Sequence, residues 1–152
     1  MNKKFDHLEK LILATWDDVE TLRINKNLNK NSFFLKEDIS PEDQKKWFES
    51  HLSREDDFMF ICFDPSDNIK FGSIGFRILD ENIDFYNIMR FCPSKISMSD
   101  CLKELIETSL NLFPGKRVQV RVLKNNPAVD WYKKVGFKID GEENNFVVMY
   151  YN

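Results

Sequence analysis

Three side chains have the chemistry to move a proton: Tyr132, Asp84 and Tyr86. Tyr132 lies in Asn125-Asn126-Pro127-Ala128-Val129-Asp130-Trp131-Tyr132-Lys133-Lys134-Val135-Gly136-Phe137. A phenol, with a reference pKa of about 10, can give up its proton to a positioned acceptor of similar pKa. The same ring also reads as one member of an apolar helical stripe with Ala128, Trp131 and Val135. Asp84 and Tyr86 are two residues apart, which puts them on one face of a strand, where either could relay a proton through water. Solvation at the surface accounts for Asp84 equally well. Nucleophilic and metal chemistry find less support. Cys62, Cys92 and Cys101 are an odd number at spacings that match no zinc motif, and His7 and His51 are isolated. No metal centre is expected, no histidine is placed to activate Cys92, and Cys62 reads as a small apolar residue inside a strand.

The elements that must position these groups are legible from local patterns. Leu11 to Ala14 is a short strand, and Thr15 with Asp18 can cap a helix that carries Val19 and Leu22. Asn25 to Ser32 reads as a loop. Ser40-Pro41-Glu42-Asp43 opens a second helix, expected to run through Leu52 and to bury Trp47, Phe48 and Leu52. Phe58 to Phe63 is continuously apolar, as in a central strand; Asp64 to Asn68 supplies a turn, and Ile69 to Leu79 is the next strand. Ile83, Phe85, Asn87, Met89 and Phe91 alternate with Asp84, Tyr86, Ile88 and Arg90, a fourth strand with one mostly apolar face. Leu102, Leu105, Ile106 and Phe113 mark a helix that Pro114-Gly115 ends, and Val118, Val120 and Val122 mark a strand. In the segment around Tyr132, Asn126 can cap a helix, Pro127 starts it and Gly136 suits its left-handed end. Phe137 to Asp140 and Phe146 to Tyr151 close the chain as strands. The expected order is β-α-α-β-β-β-α-β-α-β-β, an α/β chain.

Length and charge bound the rest. A chain of 152 residues buries about two thirds of the surface its unfolded form exposes, enough for one domain, 1–152, without disulfides. The net charge is −3 and the acidic and basic residues are interspersed, so no basic stripe matches a nucleic-acid backbone. No apolar run approaches the roughly 20 residues of a membrane span, and Met1 to His7 is charged where a signal peptide would be apolar. Neither nucleic acid nor membrane is an expected partner, and a cytoplasmic location is expected.

The element order together with Asn-x-Pro-Ala-x-x-x-Tyr-x-Lys-x-Gly-Phe resembles the GNAT superfamily of N-acetyltransferases over nearly the whole chain. More narrowly, Leu22-Arg23-Ile24-Asn25, Ile39-Ser40-Pro41-Glu42, Trp47-Phe48 and Gly72-Ser73-Ile74-Gly75-Phe76 look like the branch that acetylates amino groups of nucleotide-linked sugars. The resemblance implies a mixed, mostly antiparallel central sheet flanked by helices, acetyl-CoA as acyl donor, and direct attack by a small-molecule amine in a ternary complex. A peptide or protein amine, or a non-catalytic module that keeps the fold, are the alternatives, and a homodimer is compatible with either.

For the cofactor, the resemblance implies that Ile88, Met89, Arg90 and Phe91 offer main-chain groups to the pantetheine arm, with Asn125 steadying it. The pyrophosphate loop corresponds to Ser94-Lys95-Ile96-Ser97-Met98-Ser99, where serines stand in place of the family's Gly-x-Gly. Amides of Ser97, Met98 and Ser99 could meet the anion, with Arg90 or Lys95 adding charge, while a capping pair of Ser97 with Asp100 would compete for those amides. Tyr132 corresponds to the general acid for the leaving thiolate; Asp84 and Tyr86 would stand next to the thioester carbonyl, where either could relay the amine's proton through water, a water chain alone being the alternative. On the acceptor side, Arg23, Asn25, Phe33 and Phe34 would meet a sugar nucleotide, the rings by stacking and Arg23 by pairing with a phosphate. Burial of Phe33 and Phe34 against Trp47 and Phe48 is the competing expectation.

Overall fold

The computed structural model describes residues 3–34 and 37–152. The chain order is β1 (Leu11–Leu13), α1 (Val19–Leu28), α2 (Pro41–Leu52), β2 (Asp57–Asp64), β3 (Ile69–Ile78), β4 (Asn82–Arg90), α3 (Met98–Leu112), β5 (Arg117–Leu123), α4 (Ala128–Val135), β6 (Phe137–Glu142) and β7 (Phe146–Tyr151). Single 3-10 turns at Lys3–Phe5, Trp16–Asp18 and Lys30–Ser32 are added to the expected order. The capping box of Thr15 and Asp18 closes the second of these turns, which leads directly into α1. That helix extends through Leu28, so the first half of the expected Asn25 to Ser32 loop is helical instead. Ser40 Oγ accepts from the Asp43 amide and Pro41 takes the first position of α2, as their types require.

The seven strands form one sheet in the order β1-β2-β3-β4-β5-β7-β6, with β4 and β5 parallel and the other pairs antiparallel. β2 is buried on both faces, and its residues alternate between two cores. Phe58, Phe60 and Cys62 join the larger core, which also holds Leu102 and Leu105 of α3 and Tyr132 and Val135 of α4. Met59 and Ile61 join a smaller core with Leu22 of α1, packed by Trp47 of α2. The period of two that makes a strand thereby also decides which helix pair each side chain meets. Phe48 is fully buried and Trp47 partly so, but Leu52 is 53% exposed and His51 is buried in its place. Gln44, Phe48 and His51 follow the i, i+4, i+7 spacing of one helical stripe, and Leu52 sits a further 100° around the helix.

Two departures from regular pairing shape the middle of the sheet. The β4–β5 ladder runs from Asn82↔Arg117 to Phe85↔Val120 and stops there, although β4 continues to Arg90 and β5 continues alongside β7. Just beyond that point β4 bulges: Gly75 pairs with Tyr86 and Ser73 with Met89, so two steps on β3 face three on β4. Asn87 takes up the extra residue in the left-handed region, at φ 51°, and its carbonyl accepts from Ser73 Oγ at 2.7 Å. On the far side of this region Gly72 is obligatory, since a Cβ there would lie 2.7 Å from both the Met89 carbonyl oxygen and Met98 Sδ. The close approach of β3 to the first turn of α3 depends on it.

Candidate active site

The parted strands leave main-chain groups of Tyr86 to Arg90 without a β5 partner, and a cavity lies on either side of the gap. One, of about 370 Å³, is bordered by Ile88, Met89, Arg90, Ser97, Met98 and Ser99 together with Trp131 of α4. The other, of about 260 Å³, is bordered by Asp84, Tyr86 and Asn87 of β4, Arg77 of β3, Arg121 of β5, Lys26 of α1, and Phe33 and Phe34. Ile88, Ala128 and Tyr132 border both. Tyr132 is 8% exposed, its hydroxyl makes no hydrogen bond with another described residue, and burial pushes its pKa well above the ordinary phenol value. It therefore keeps its proton at neutral pH and meets no competing acceptor for it.

In the first cavity, Ser97 Oγ accepts from the Asp100 amide at 3.0 Å and its carbonyl accepts from Cys101, which leaves the amides of Met98 and Ser99 without helical partners. The expected competition from a reciprocal capping box is thus partial, and the Asp100 side chain is exposed. Ser99 Oγ accepts from Trp131 Nε1 at 3.0 Å, which joins the start of α3 to α4. Arg90 stacks 5.2 Å over Phe71 and donates to the carbonyls of Cys92 and Ile96, bracing the loop between β4 and α3. Lys95 instead points to Asp67, at 3.7 Å, and Phe91 is tied to β3 through the Phe71 carbonyl. Neither Lys95 nor Phe91 borders the cavity. Ser97→Ala is expected to cost about 1 kcal/mol of stability through the lost cap while freeing the Asp100 amide. Thermal denaturation and coenzyme calorimetry on one sample would read both effects: a lower Tm with undiminished affinity.

The position assigned to Asn125 is corrected. Asn125 is exposed and borders a different recess with Lys30, Asn31 and Asn144, whereas Asn126 borders the second cavity. Asn126 Oδ1 accepts from the Ala128 amide at 2.9 Å and its Nδ2 donates to the Ser32 carbonyl at 3.2 Å, fixing the 3-10 turn over the cavity. Two further expected contacts point elsewhere. Arg23 is paired with Glu20 and donates to the Ile39 carbonyl at 3.2 Å, and Asn25 Nδ2 donates back to Thr21 within α1. Phe33 packs on the smaller core, and Phe34 is 45% exposed with an edge contact to Phe146.

Electrostatically, the second cavity carries three cations against one carboxylate. Asp84 is 1% exposed; its Oδ2 accepts from Arg77 Nε at 2.9 Å and lies 3.6 Å from Arg121, while its Oδ1 accepts from Gln119 Nε2 at 3.0 Å. Both oxygens are engaged, so Asp84 holds the arginines in place. Tyr86 carries Arg77 4.3 Å above its ring and donates its hydroxyl to Asp57. Burial, then the charge of Asp57 and the bond to it, raise the Tyr86 pKa. Lys26 was not identified from the sequence; its Nζ donates to Asn87 Oδ1 at 2.6 Å, lies 5.2 Å over the Phe33 ring and has no carboxylate partner among the described residues. Burial, aided by Arg77, lowers its pKa to about 8. Arg77 was also missed, although a charge directly after Ile74-Gly75-Phe76 in an expected strand was a readable signal; the structure pairs it with Asp84. Nothing local distinguishes Lys26.

This sheet, with its parting after Phe85 and a helix on either side of the gap, is the fold of the GNAT N-acetyltransferases. The structure is similar to that of a domain from Methanocaldococcus jannaschii, at 22% identity over 93% of this chain and 96% of that one, with a TM-score of 0.79. It is similar to FdhC, described as a nucleotide-linked sugar GNAT, at 17% identity over 93% and 84%, with a TM-score of 0.74. A spermidine N-acetyltransferase from Vibrio cholerae, solved with CoA and spermine, matches at 17% identity over 92% of both chains, with a TM-score of 0.76. No protein-family model and no curated protein matches the sequence. At these identities the likeness establishes the fold, in agreement with the element order read from the sequence. No helix among the described residues is long and apolar enough to cross a membrane.

Proposed function

We propose that the protein is an acetyl-CoA-dependent N-acetyltransferase acting on the primary amine of an anionic acceptor, an amino-sugar nucleotide being the class that fits best. The observation that carries the reading is the pair of cavities meeting at Tyr132 across the gap between β4 and β5. The coenzyme supplies an acetyl group activated as a thioester. Free main-chain groups of Ile88 to Arg90 would pair with its amide-bearing arm, and the amides of Met98 and Ser99 would face its pyrophosphate at the positive end of α3. The acceptor's amine would approach from the second cavity, and Tyr132 would hold a proton at Oη for the departing sulfur.

The charge of the second cavity supports the acceptor class. Lys26, Arg77 and Arg121 outnumber Asp84, whose oxygens are already taken, so a diphosphate finds cations there while an ammonium is repelled toward its reactive neutral form. Phe33 and Phe34 would cover the sugar or base. One observation favours a second reading, an acceptor with several amines: Lys26 also borders a neighbouring recess that carries Glu37, Asp38 and Asp43.

Titration calorimetry with acetyl-CoA tests the donor half, and absence of heat at millimolar coenzyme would favour a non-catalytic module. A screen of amino-sugar nucleotides, polyamines and peptides with free amines then tests the acceptor half. Acetylation of sugar nucleotides is expected, and turnover confined to polyamines or peptides would remove this assignment.

A further inference from the structure

A row of buried polar groups leads away from the acceptor cavity. Tyr86, on the cavity wall, donates to Asp57 Oδ1. Asp57 opens β2, is 5% exposed, and has its other oxygen 3.4 Å from His51 Nδ1 and 3.3 Å from Arg54. His51, in the last turn of α2, is 6% exposed, its ring stacked on Trp47 at 5.2 Å and Phe48 at 5.8 Å. Its Nδ1 is fully buried yet makes no well-aligned hydrogen bond. A buried ring nitrogen left in that condition costs stability, so its retention beside a carboxylate calls for a reason.

The two ends of the row face different spaces. Tyr86 borders the acceptor cavity, whereas Asp57 and His51 border a separate recess with Leu13, Leu52 and Glu55. The row therefore crosses from one to the other through groups that all exchange protons. Burial works to raise the Asp57 pKa, but the proximity of His51, the bond from Tyr86 and the charge of Arg77 outweigh it and hold the carboxyl below its ordinary value, so it is ionised at rest.

We propose that Tyr86, Asp57 and His51 form a proton exit that carries the acceptor's proton from the acetyl-transfer cavity to solvent on the α2 side. As the amine nitrogen bonds to the acetyl carbon it loses a proton to Tyr86 Oη, and the Tyr86 proton passes to Asp57 Oδ1. A half-turn of the carboxyl about Cβ–Cγ presents that proton to His51 Nδ1, the imidazolium loses its Nε2 proton to water in the recess, and exchange of the ring protons with that water restores the starting tautomer before the next turnover. Tyr86 and Asp57 end as they began, and one proton has left. The thiolate takes its own proton from Tyr132, which regains one from water as the products leave, so the two transfers use separate groups and the cycle balances. This inference rests on the acetyl-transfer reading.

The test is steady-state kinetics at saturating acceptor. Tyr86→Phe, which removes only the hydroxyl, is expected to lower kcat by about tenfold to a hundredfold with the KM for acetyl-CoA unchanged. His51→Ala should lower kcat comparably, and added imidazole, entering the space the ring vacates beside Trp47 and Phe48, should restore it; imidazole should not restore Tyr86→Phe. Unchanged kcat in Tyr86→Phe overturns the exit, as does a folded His51→Ala protein that imidazole cannot restore. Should His51→Ala fail to fold, Tyr86→Phe decides alone. A wild-type protein that acetylates no amine overturns the acetyl-transfer reading and the exit with it, whereas an active wild type with an indifferent Tyr86→Phe overturns the exit alone.

Discussion

Tyr132→Phe is expected to lower kcat by about a hundredfold while leaving the affinity for acetyl-CoA unchanged. The phenol borders both cavities, and no group among the described residues competes for its proton. Removing a positioned acid costs about 10²-fold or more, because the sulfur must then leave as a bare thiolate or take its proton from water that is not positioned for it. The ring itself remains in place against Trp131 and Phe137, at 5.0 and 5.6 Å, so binding surfaces keep their shape. Stability should hold, since the hydroxyl makes no hydrogen bond with another described residue and its loss breaks none. Parallel measurement of kcat by thiol release and of coenzyme affinity by calorimetry checks both halves. An unchanged kcat would return Tyr132 to the helical stripe as a packing residue.

Lys26→Met should produce the opposite pairing, a more stable protein that binds its acceptor worse. A charged amine gains about 1.5–3 kcal/mol from a hydrogen bond to an anion, so affinity for a nucleoside diphosphate used as probe should fall by about 10-fold to 100-fold. The pH dependence has a definite sign. The folded-state pKa of about 8 lies below the ordinary lysine value, so burial of the ammonium is a penalty that is full below pH 8 and fades as pH rises above it. The methionine variant should therefore exceed the wild type in Tm at pH 7, with the gap closing at alkaline pH. Diphosphate affinity of the wild type should in turn fall as Lys26 loses its proton above about pH 8, and the variant should lack that step. A variant that binds the probe as tightly as the wild type would remove Lys26 from the acceptor site.

Where the sequence succeeded, the determining interactions are local. Ser40 and Pro41 start α2 because a hydroxyl and a missing N–H satisfy the helix end within four residues. Gly136 ends α4 at φ 130°, and the spacing of Ala128, Trp131, Tyr132 and Val135 phases that helix toward the sheet. The alternation in β4 likewise puts Asp84 and Tyr86 on one face, as read. Where it failed, the cause lies one residue or one turn away. Asn125 and Asn126 are chemically identical, and only the path of the chain between β5 and α4 decides that Asn126 turns inward. Arg23 and Lys26 are both cations on α1, about one turn apart along the helix and only about 60° apart around it, and the packing of α1 on β4 brings Lys26, not Arg23, to Asn87.

The sequence by itself determined the order of elements, their caps and the apolar faces by which helices meet the sheet, because hydrogen bonds and side-chain periods close over a few residues. Tertiary structure alone decided that β4 bulges at Asn87, that β4 and β5 part after Phe85, and that Asp57 and His51 stand behind Tyr86. Those features arise from register between strands and from contacts such as that of Tyr86 with Asp57, 29 residues apart, where the free energy belongs to the assembled sheet and no single segment encodes it.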